Sequence, residues 1–283
     1  MKLQNLIREN VRDEYGLLEL QNVILNIMQY IDRLCQENRI QYYIIGGTAL
    51  GAVRHGGFIP WDDDLDIAMT RENYNKFIDL CNSNKFDREH FYFQEGSKDW
   101  TSYFSKVRLL NTVFEDAGED ETAESCKSGI FVDIFPLDNV QQNILKKLWW
   151  YFSGKLLVAY ETSTHNYITT SVVKKFVIKF ASILRYKSLR GYFERQVEKY
   201  NMKETGLIGG HSLVSRYRNT FTSSKLFGIP VRIPFEKISL LAPEDVNGFL
   251  TFYFGDYMTL PPIESRKGHH IVNVDFGPYK QND

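Results

Sequence analysis

The first clear pattern along the chain is an apolar face that repeats at helical spacing between residues 17 and 37. Apolar residues recur there every three or four positions, which predicts an amphipathic helix. An aromatic and β-branched run at 42–45 then stops at Gly46-Gly47, which predicts a strand. Residues 49–55 are predicted to form a short helix that Gly56-Gly57 ends.

A second period appears at residues 64–69, where Leu65, Ile67 and Met69 alternate with acidic or small residues. Period two predicts a strand with one acidic face. Thr70 is the expected cap of a helix over 71–81. Further strands are predicted at 91–94, 103–109, 112–115 and 130–135. Residues 140–200 are predicted to be helical, and 260–279 to be an ordered loop rich in Pro, Gly and His.

These elements predict an α+β fold in which a mixed sheet is flanked by helices and followed by a mainly helical C-terminal half. The expected division is a catalytic core at 1–138 and a helical half at 139–283, the two sharing one cleft or forming one continuous domain.

Composition narrows the class of protein. The chain has 283 residues, of which 43% are hydrophobic and 24% charged, as in ordinary globular proteins. The net charge of −1 gives no reason to expect a nucleic-acid partner. Cys35, Cys81 and Cys126 are widely spaced, so neither a disulfide framework nor a thiolate zinc site is indicated. With neither a signal peptide nor an apolar run of about 18 residues, the expected location is the cytoplasm.

Four acids crowd the segment Trp61-Asp62-Asp63-Asp64-Leu65-Asp66. If this segment is extended, Asp64 and Asp66 point to one side, Asp62 joins them, and Asp63 faces away. Converging carboxylates need a cation, and oxygen ligands suit Mg²⁺ or Mn²⁺, with two ions expected. Asp133 lies in an otherwise apolar run and is the expected further ligand, because a lone buried acid is costly. An acid in a salt bridge at a strand end is the alternative.

The pair Gly46-Gly47, followed by Thr48, lies between a predicted strand and a predicted helix. Glycines let a backbone approach a ligand closely, and a helix N-terminus offers N–H groups to phosphate oxygens. Arg54 and His55 follow and are candidates to contact phosphate or to order the loop. A phosphate cradle beside a carboxylate cluster predicts a metal-dependent phosphotransferase.

The chain from Gly46 to Ile67 closely resembles the LicD family, which comprises bacterial phosphocholine transferases and relatives such as fukutin-related protein within the nucleotidyltransferase-fold superfamily. The resemblance continues at 106–108, 111–112, 132–138, 254–258 and 260–262, and at Glu264, Arg266 and His269-His270. It implies a nucleotidyltransferase-like core. It also implies transfer of a phosphocholine-like group from a CDP-linked donor to a sugar hydroxyl of a teichoic acid, lipopolysaccharide or capsule, with release of CMP.

The resemblance also implies roles for individual residues. Asp64 and Asp66 would bind metal with Asp62 close by, and Asp133 would complete the set and deprotonate the acceptor, which makes Asp64, Asp66 and Asp133 the catalytic group. The implied contacts to the donor and its phosphates, together with the glycine turn, come from Lys106, Arg108, Arg266, His269 and His270.

Residues 146–195 contain ten Lys/Arg and two acids, a net charge of +8 that leaves −9 for the rest of the chain. An aromatic cluster lies beside Lys146 and Lys147 and consists of Trp149, Trp150, Tyr151 and Phe152. Further along, lysines alternate with apolar residues, namely Lys174, Lys175 and Lys179 with Phe176, Val177, Ile178 and Phe180. A basic aromatic segment can lie on an anionic membrane, which would suit a lipid-linked acceptor at the inner membrane face. Ordinary helices with apolar faces turned inward are the favoured alternative.

Two other functions stay open at this point. One is nucleotidyl transfer to a small molecule, which would release pyrophosphate rather than CMP. The other is a non-catalytic module that binds a glycan or nucleotide, although the full set of acids argues against it.

Overall fold

The structure is a computed structural model that describes residues 16–96, 102–116, 128–164, 171–212, 217–268 and 271–280. The predicted α+β class is confirmed. In the first part of the chain the elements are α1 (Leu17–Glu37), β1 (Tyr43–Ile44), α2 (Gly46–His55), β2 (Asp66–Thr70), α3 (Arg71–Cys81), β3 (Phe91–Gln94), β4 (Ser105–Leu109), β5 (Val113–Asp116) and β6 (Phe131–Val140).

The remaining helices are α4 (Ile144–Thr164), α5 (Val172–Ala181), α6 (Lys187–Glu198), α7 (Tyr217–Thr220), α8 (Ser224–Phe227) and α9 (Val246–Phe254). Short 3₁₀ turns lie at Ser182–Arg185, Ile263–Ser265 and Gly277–Tyr279. The remaining strands are β7 (Leu207–Gly209), β8 (Phe221–Ser223), β9 (Val231–Phe235), β10 (Ile238–Ala242) and β11 (Ile271–Asp275).

The central sheet has the strand order β1-β2-β6-β4-β3, and the far end of β6 also pairs with β7, which pairs with β8. Strands β2 and β6 are parallel, whereas the other pairs are antiparallel. The buried apolar face of α1 belongs to the main core. This core also contains residues of α2, α8 and α9, so distant parts of the chain fold around the same sheet.

Several predicted boundaries differ from the structure. Helix α2 begins at Gly46, three residues before the predicted start, so the glycine pair forms the first turn of the helix rather than a loop. Strand β2 begins at Asp66, so Asp64 lies in an extended segment before the strand. Gly56 ends α2 with a φ of 75°, and the Thr70 side chain caps α3, both as predicted.

The tail was wrongly predicted to be a loop throughout. Residues Ile271–Asp275 form β11, which pairs antiparallel with β5. The hairpin β9–β10 also adds strands to the half predicted to be mainly helical. The predicted helical character of 140–200 is confirmed for its described residues, which form α4, α5 and α6.

A second, smaller core joins α4 and α6 to the main sheet. It contains Trp150, Leu157, Leu184 and Val197, and the Trp150 Nε1 donates a hydrogen bond to the Val197 carbonyl at 2.8 Å. The strand β6 runs through the predicted boundary at residue 138 and contributes Val140 to this core. A division of the chain at 138 remains a prediction.

The outer side of α4 is not polar, contrary to the favoured expectation for this segment. Leu145, Leu148, Trp149 and Phe152 follow the i, i+3, i+4, i+7 spacing of one helix face, and 42–73% of each is exposed. Phe176 and Phe180 of α5 are exposed as well, beside the exposed Lys174, Lys175 and Lys179. We call these exposed residues of α4 and α5, together with Lys146, the basic aromatic surface. Within the described segments, no helix has both the length and the apolar content to cross a membrane.

Candidate functional site

The candidate site lies where α2 begins and where β2 and β6 run side by side. Asp66 opens β2 and stands directly opposite Asp133 in the parallel register with β6. Adjacent strands are about 4.8 Å apart, so these two carboxylates are close neighbours. The Asp66 backbone N–H donates a hydrogen bond to the Thr48 hydroxyl at 2.9 Å, which fixes the start of β2 against the first turn of α2.

The two glycines bring the N-terminus of α2 against the acids. A β-carbon on Gly46 would lie 3.3 Å from Asp66 Oδ2, and one on Gly47 would lie 2.7 Å from Asp62 Oδ2. Gly46 also has a φ of 54°, which a larger residue rarely adopts. The N-terminus of α2 and the carboxylates therefore occupy one site. The backbone at the two glycines lies so close to the acids that a side chain there would contact them.

The acid segment converges more fully than its alternating pattern suggested. One carboxylate oxygen from each of Asp62, Asp63 and Asp64 lies within 4.8 Å of the others. Asp63 was expected to face away from the site. Its side chain is only 1% exposed, and its carboxylate belongs to this group. The alternation of side chains applies within a strand, and residues 62–65 precede β2, so it does not place Asp63 on the side opposite to Asp62 and Asp64.

Mutual repulsion among these acids is visible in Asp66. Burial, followed by the negative charges of Asp64, Asp133 and Asp62, raises its pKa well above the usual range, and Lys106 only partly offsets this. A bound cation would offset this repulsion and favour the ionised form of Asp66.

Asp133 adds a second sign that the site suits a cation. The Lys106 ammonium lies 2.9 Å from Asp133 Oδ1 as an ion pair. The angles at this contact do not fit a hydrogen bond, and the buried Oδ1 accepts none from the described residues. Asp133 also lies opposite Asp66, and several carboxylates in one place match the oxygen-rich ligand set that Mg²⁺ and Mn²⁺ prefer.

Two arginines, Arg54 and Arg266, lie near the acids and near each other. Burial lowers the pKa of Arg54, and the positive charge of Arg266 lowers it further, while Asp62 opposes the shift. Arg54 donates hydrogen bonds to the ring of His55 at 2.9 Å and to the Tyr257 carbonyl at 3.0 Å. The Arg266 guanidinium lies 5.6 Å from the centre of the Trp61 ring. Two neighbouring cations at the edge of an acid cluster form a place where an anion is stabilised.

The structure places the remaining candidates differently. Arg108 is 1% exposed and donates hydrogen bonds to Gln94 at 2.7 Å and to the Gly129 carbonyl at 2.9 Å, so in this structure its guanidinium supports the sheet, and its contact with the donor stays a prediction. Lys106 is also buried, with its ammonium 3.3 Å from the centre of the Phe131 ring. His269 and His270 lie outside the described residues, as does Cys126.

Sequence reasoning overlooked Gln21, which positions the acid segment. Its side-chain amide donates to the Asp62 carbonyl at 2.8 Å and to the Ile59 carbonyl at 3.3 Å, and it is 3% exposed. The sequence feature that could have identified Gln21 is its position as a polar residue on the apolar face of the helix 17–37. Glu236, in the turn between β9 and β10, likewise accepts a hydrogen bond from the Phe58 N–H at 3.1 Å and so holds the loop after α2.

Comparison with known protein families gives one match, to the family described as LicD/FKTN/FKRP, nucleotidyltransferase domain, over residues 39–167. The match covers α2, the acid segment and β6, and it ends after α4.

Individual relatives agree with this match. The chain is 30% identical over 268 residues to the lipopolysaccharide cholinephosphotransferase LicD of Haemophilus influenzae, which covers 90% of this chain and 96% of that protein. It is 38% identical over 45 residues to the human ribitol 5-phosphate transferase FKRP, which is 16% of this chain and 9% of that protein. An uncharacterized protein of Rickettsia prowazekii is 48% identical over 50 residues, 18% of this chain.

Proposed function

The chain belongs to the LicD family and is a transferase, and from this premise we propose that it moves a phospho-alkyl group of the phosphocholine kind from a CDP-linked donor to a sugar hydroxyl of a cell-surface glycan. CMP is the expected leaving group. The observation that carries the proposal is the meeting of the α2 N-terminus with the carboxylates of Asp62, Asp64, Asp66 and Asp133. A lipopolysaccharide is the acceptor named for the relative that matches along nearly its whole length. Teichoic acid and capsule are further candidate acceptors.

We propose that Mg²⁺ or Mn²⁺, as two ions, is held by Asp62, Asp64, Asp66 and Asp133. Such ions would neutralise charge on the transferred phosphoryl group. Two features support this assignment, the raised pKa of Asp66 beside the other acids and the register that sets Asp133 directly opposite Asp66. Asp63, whose carboxylate lies within 4.8 Å of those of Asp62 and Asp64, would support this ligand set.

The residues of the chain itself would bind and orient the donor. The N–H groups of the first turn of α2 would bind phosphate oxygens, and Gly46 and Gly47 allow that approach. Arg54 and Arg266 would also bind the diphosphate, since a shared anion relieves the repulsion between the two guanidinium groups.

Asp133 is the proposed general base, with Lys106 as its positioning residue. In the transfer, the acceptor hydroxyl oxygen forms a bond to the phosphorus of the phospho-alkyl group, and the bond from that phosphorus to the CMP oxygen breaks. The hydroxyl proton goes to Asp133, and CMP leaves with the electron pair.

A lipid-linked acceptor would bring the protein to the inner face of a membrane. The basic aromatic surface has both features of an interfacial helix pair, namely exposed apolar rings and a surplus of lysine. We therefore propose that this surface contacts anionic lipid. The site and the surface would then act together on an acceptor that is anchored in the same membrane.

Release of CMP from CDP-linked donors, with Mg²⁺ and a sugar acceptor present, tests the proposal. We expect Asp64→Asn and Asp66→Asn each to lower turnover by about 100-fold or more, because each removes a charged ligand for a cation. Asp79→Asn is the matched control, since Asp79 is an exposed acid of α3. Chelation of the metal should lower turnover of the wild-type protein as well.

The product distinguishes the main alternative. Release of pyrophosphate from a nucleoside triphosphate, without release of CMP from any CDP-linked compound, would favour nucleotidyl transfer to a small molecule. Full turnover by both Asp variants would contradict the assignment of the metal site.

A further inference from the structure

A cavity of about 290 Å³ opens beside the acid cluster, and aromatic rings form most of its wall. Gly46 and Asp66 line it too, so it is continuous with the proposed phosphate and metal site. The rings come from β6, α8 and α9, and they are Phe135, Phe227, Phe249, Tyr253 and Phe254. The volume is near the lower end of the roughly 300–1,000 Å³ of ligand cavities, so a small group fits it best.

The lining of this cavity suits a cation. Among the described residues that line it there is no Lys, Arg or His, so no cationic side chain of the wall would repel a bound ammonium group. Burial raises the pKa of Tyr253 to about 12, so its phenol stays neutral and its ring face remains available. Aromatic faces attract cations through their quadrupole, and quaternary ammonium groups are held in this way.

The angles between the rings indicate a rounded ligand. The planes of Phe227 and Phe249 meet at 72°, and those of Phe249 and Tyr253 at 51°. A flat nucleobase is best held by rings parallel to its own plane, whereas rings at steep angles enclose a compact group from several directions. The cavity is therefore shaped for a head group rather than for cytosine.

We propose that this aromatic cavity binds the trimethylammonium head of a phosphocholine group while Gly46 and Asp66 lie beside its phosphate. The inference rests on the proposed function and makes it more specific, because it selects choline among the possible phospho-alkyl groups. Only two carbons separate the phosphate ester oxygen from the ammonium in phosphocholine. A cavity that shares Gly46 and Asp66 with the phosphate site has the short reach that this requires.

The first test compares phosphocholine with its uncharged isostere, in which a tert-butyl carbon replaces the ammonium nitrogen. Calorimetry of the full chain with Mg²⁺ would measure both affinities, and we expect phosphocholine to bind about 10-fold more tightly. Equal affinities would overturn the proposal, because shape alone would then explain binding. The same comparison with CDP-choline and its isostere extends the test to the donor.

The second test changes the cavity wall at Phe254, which is 45% exposed, so that the fold tolerates replacement. We expect Phe254→Leu to reduce the preference for phosphocholine over the isostere several-fold, without changing the affinity for CMP. Phe252→Leu is the matched control, because Phe252 lies on the same helix, is 39% exposed and does not line the cavity.

Other outcomes separate this inference from the proposed function. A parallel loss of CMP affinity in Phe254→Leu would assign the cavity to cytosine and overturn the choline proposal. Efficient CMP release from CDP-glycerol or CDP-ribitol, with no preference for CDP-choline, would overturn it while leaving the proposed function intact. Absence of CMP release from every CDP-linked donor would contradict the proposed function, and the phosphocholine comparison would still decide the role of the cavity.

Discussion

Single buried residues outside the catalytic cluster also have ionisation states that the fold controls. His211 is enclosed by the rings of Tyr103 and Trp150, and neither of its ring nitrogens has a hydrogen-bond partner among the described residues. Burial lowers its pKa to about 4, against the effect of Asp138, whose Oδ2 lies 4.0 Å from Nδ1. Arg71 and Lys155 add to the lowering. His211 and Asp138 are therefore not an ion pair at neutral pH.

The lowered pKa of His211 predicts that the stability of the protein depends on pH. Between pH 6.5 and about 4 the unfolded chain protonates His211 and the folded protein does not, so the free energy of unfolding falls as pH falls. One pKa unit corresponds to about 1.4 kcal/mol, so the full effect is on the order of 3 kcal/mol. We expect His211→Leu to lose this part of the slope in urea unfolding measured across that range.

The matched control for His211 is His90→Gln, because His90 is a surface histidine with a 55% exposed side chain. The control loses the contact of His90 with Asp87 but should retain the part of the slope that His211 contributes. An unchanged slope in His211→Leu would mean that His211 is not kept neutral by burial.

At the scale of elements, the site depends on how closely the first turn of α2 approaches the acid segment. We expect Gly47→Ala to raise the Mg²⁺ concentration for half-maximal activity by about 10-fold or more, because the new methyl carbon would lie 2.7 Å from Asp62 Oδ2 and displace it. A Mg²⁺ titration of CMP release, with thermal melting as a check of folding, measures the effect.

Gly191→Ala is the control for this substitution, since Gly191 lies in α6 and its added carbon would meet only side-chain ends, that of Arg195 at 3.3 Å and that of Glu194 at 3.9 Å. It should leave the Mg²⁺ dependence unchanged. A folded Gly47→Ala protein with wild-type Mg²⁺ dependence would argue against Asp62 as a ligand.

Helices whose apolar residues recur over several turns were predicted from the sequence, whereas several very short strands and one long-range strand pair were not. The helices at 17–37 and 71–81 follow from apolar spacing over several turns. The strands β7 and β8 have only three residues each, which is too short for a period to appear, whereas β1 was predicted from its aromatic and β-branched residues and from the glycine pair that follows. Strand β11 depends on pairing with β5, more than 150 residues earlier, and local sequence contains no trace of that partner.

The candidate site shows the same limit. Asp133 was singled out from its apolar surroundings, but its position opposite Asp66 is a matter of sheet register that only the fold provides. The aromatic cavity brings together residues from positions 135, 227 and 249–254, and no local pattern links these segments. Gln21 was detectable in principle, as a polar residue on an apolar helix face, because its hydrogen-bond partners compensate for its burial.

At the scale of the whole molecule, charge and exposed apolar surface are concentrated in the segment between β6 and β7. Two features of this segment coincide, a net charge of +8 over 146–195 and a stripe of exposed apolar side chains along α4. The stacked pair Trp149 and Phe152, with ring centres 5.6 Å apart, lies on this stripe. Apolar rings beside lysines suit the boundary between lipid head groups and acyl chains.

We therefore expect the protein to co-sediment with phosphatidylcholine vesicles that contain phosphatidylglycerol, and to be released as salt rises, because exposed charges are screened. Trp149→Glu and Phe176→Glu should each weaken vesicle binding, since each places a negative charge where an apolar ring meets lipid. Ile229→Glu is the matched control, because Ile229 is 75% exposed and lies outside this segment, just before β9.

No co-sedimentation at low salt, or equal losses in all three variants, would rule out the basic aromatic surface as a membrane contact. Retention of CMP release by the two surface variants on a water-soluble acceptor, together with its loss on a lipid-linked acceptor, would tie the surface to acceptor access rather than to chemistry.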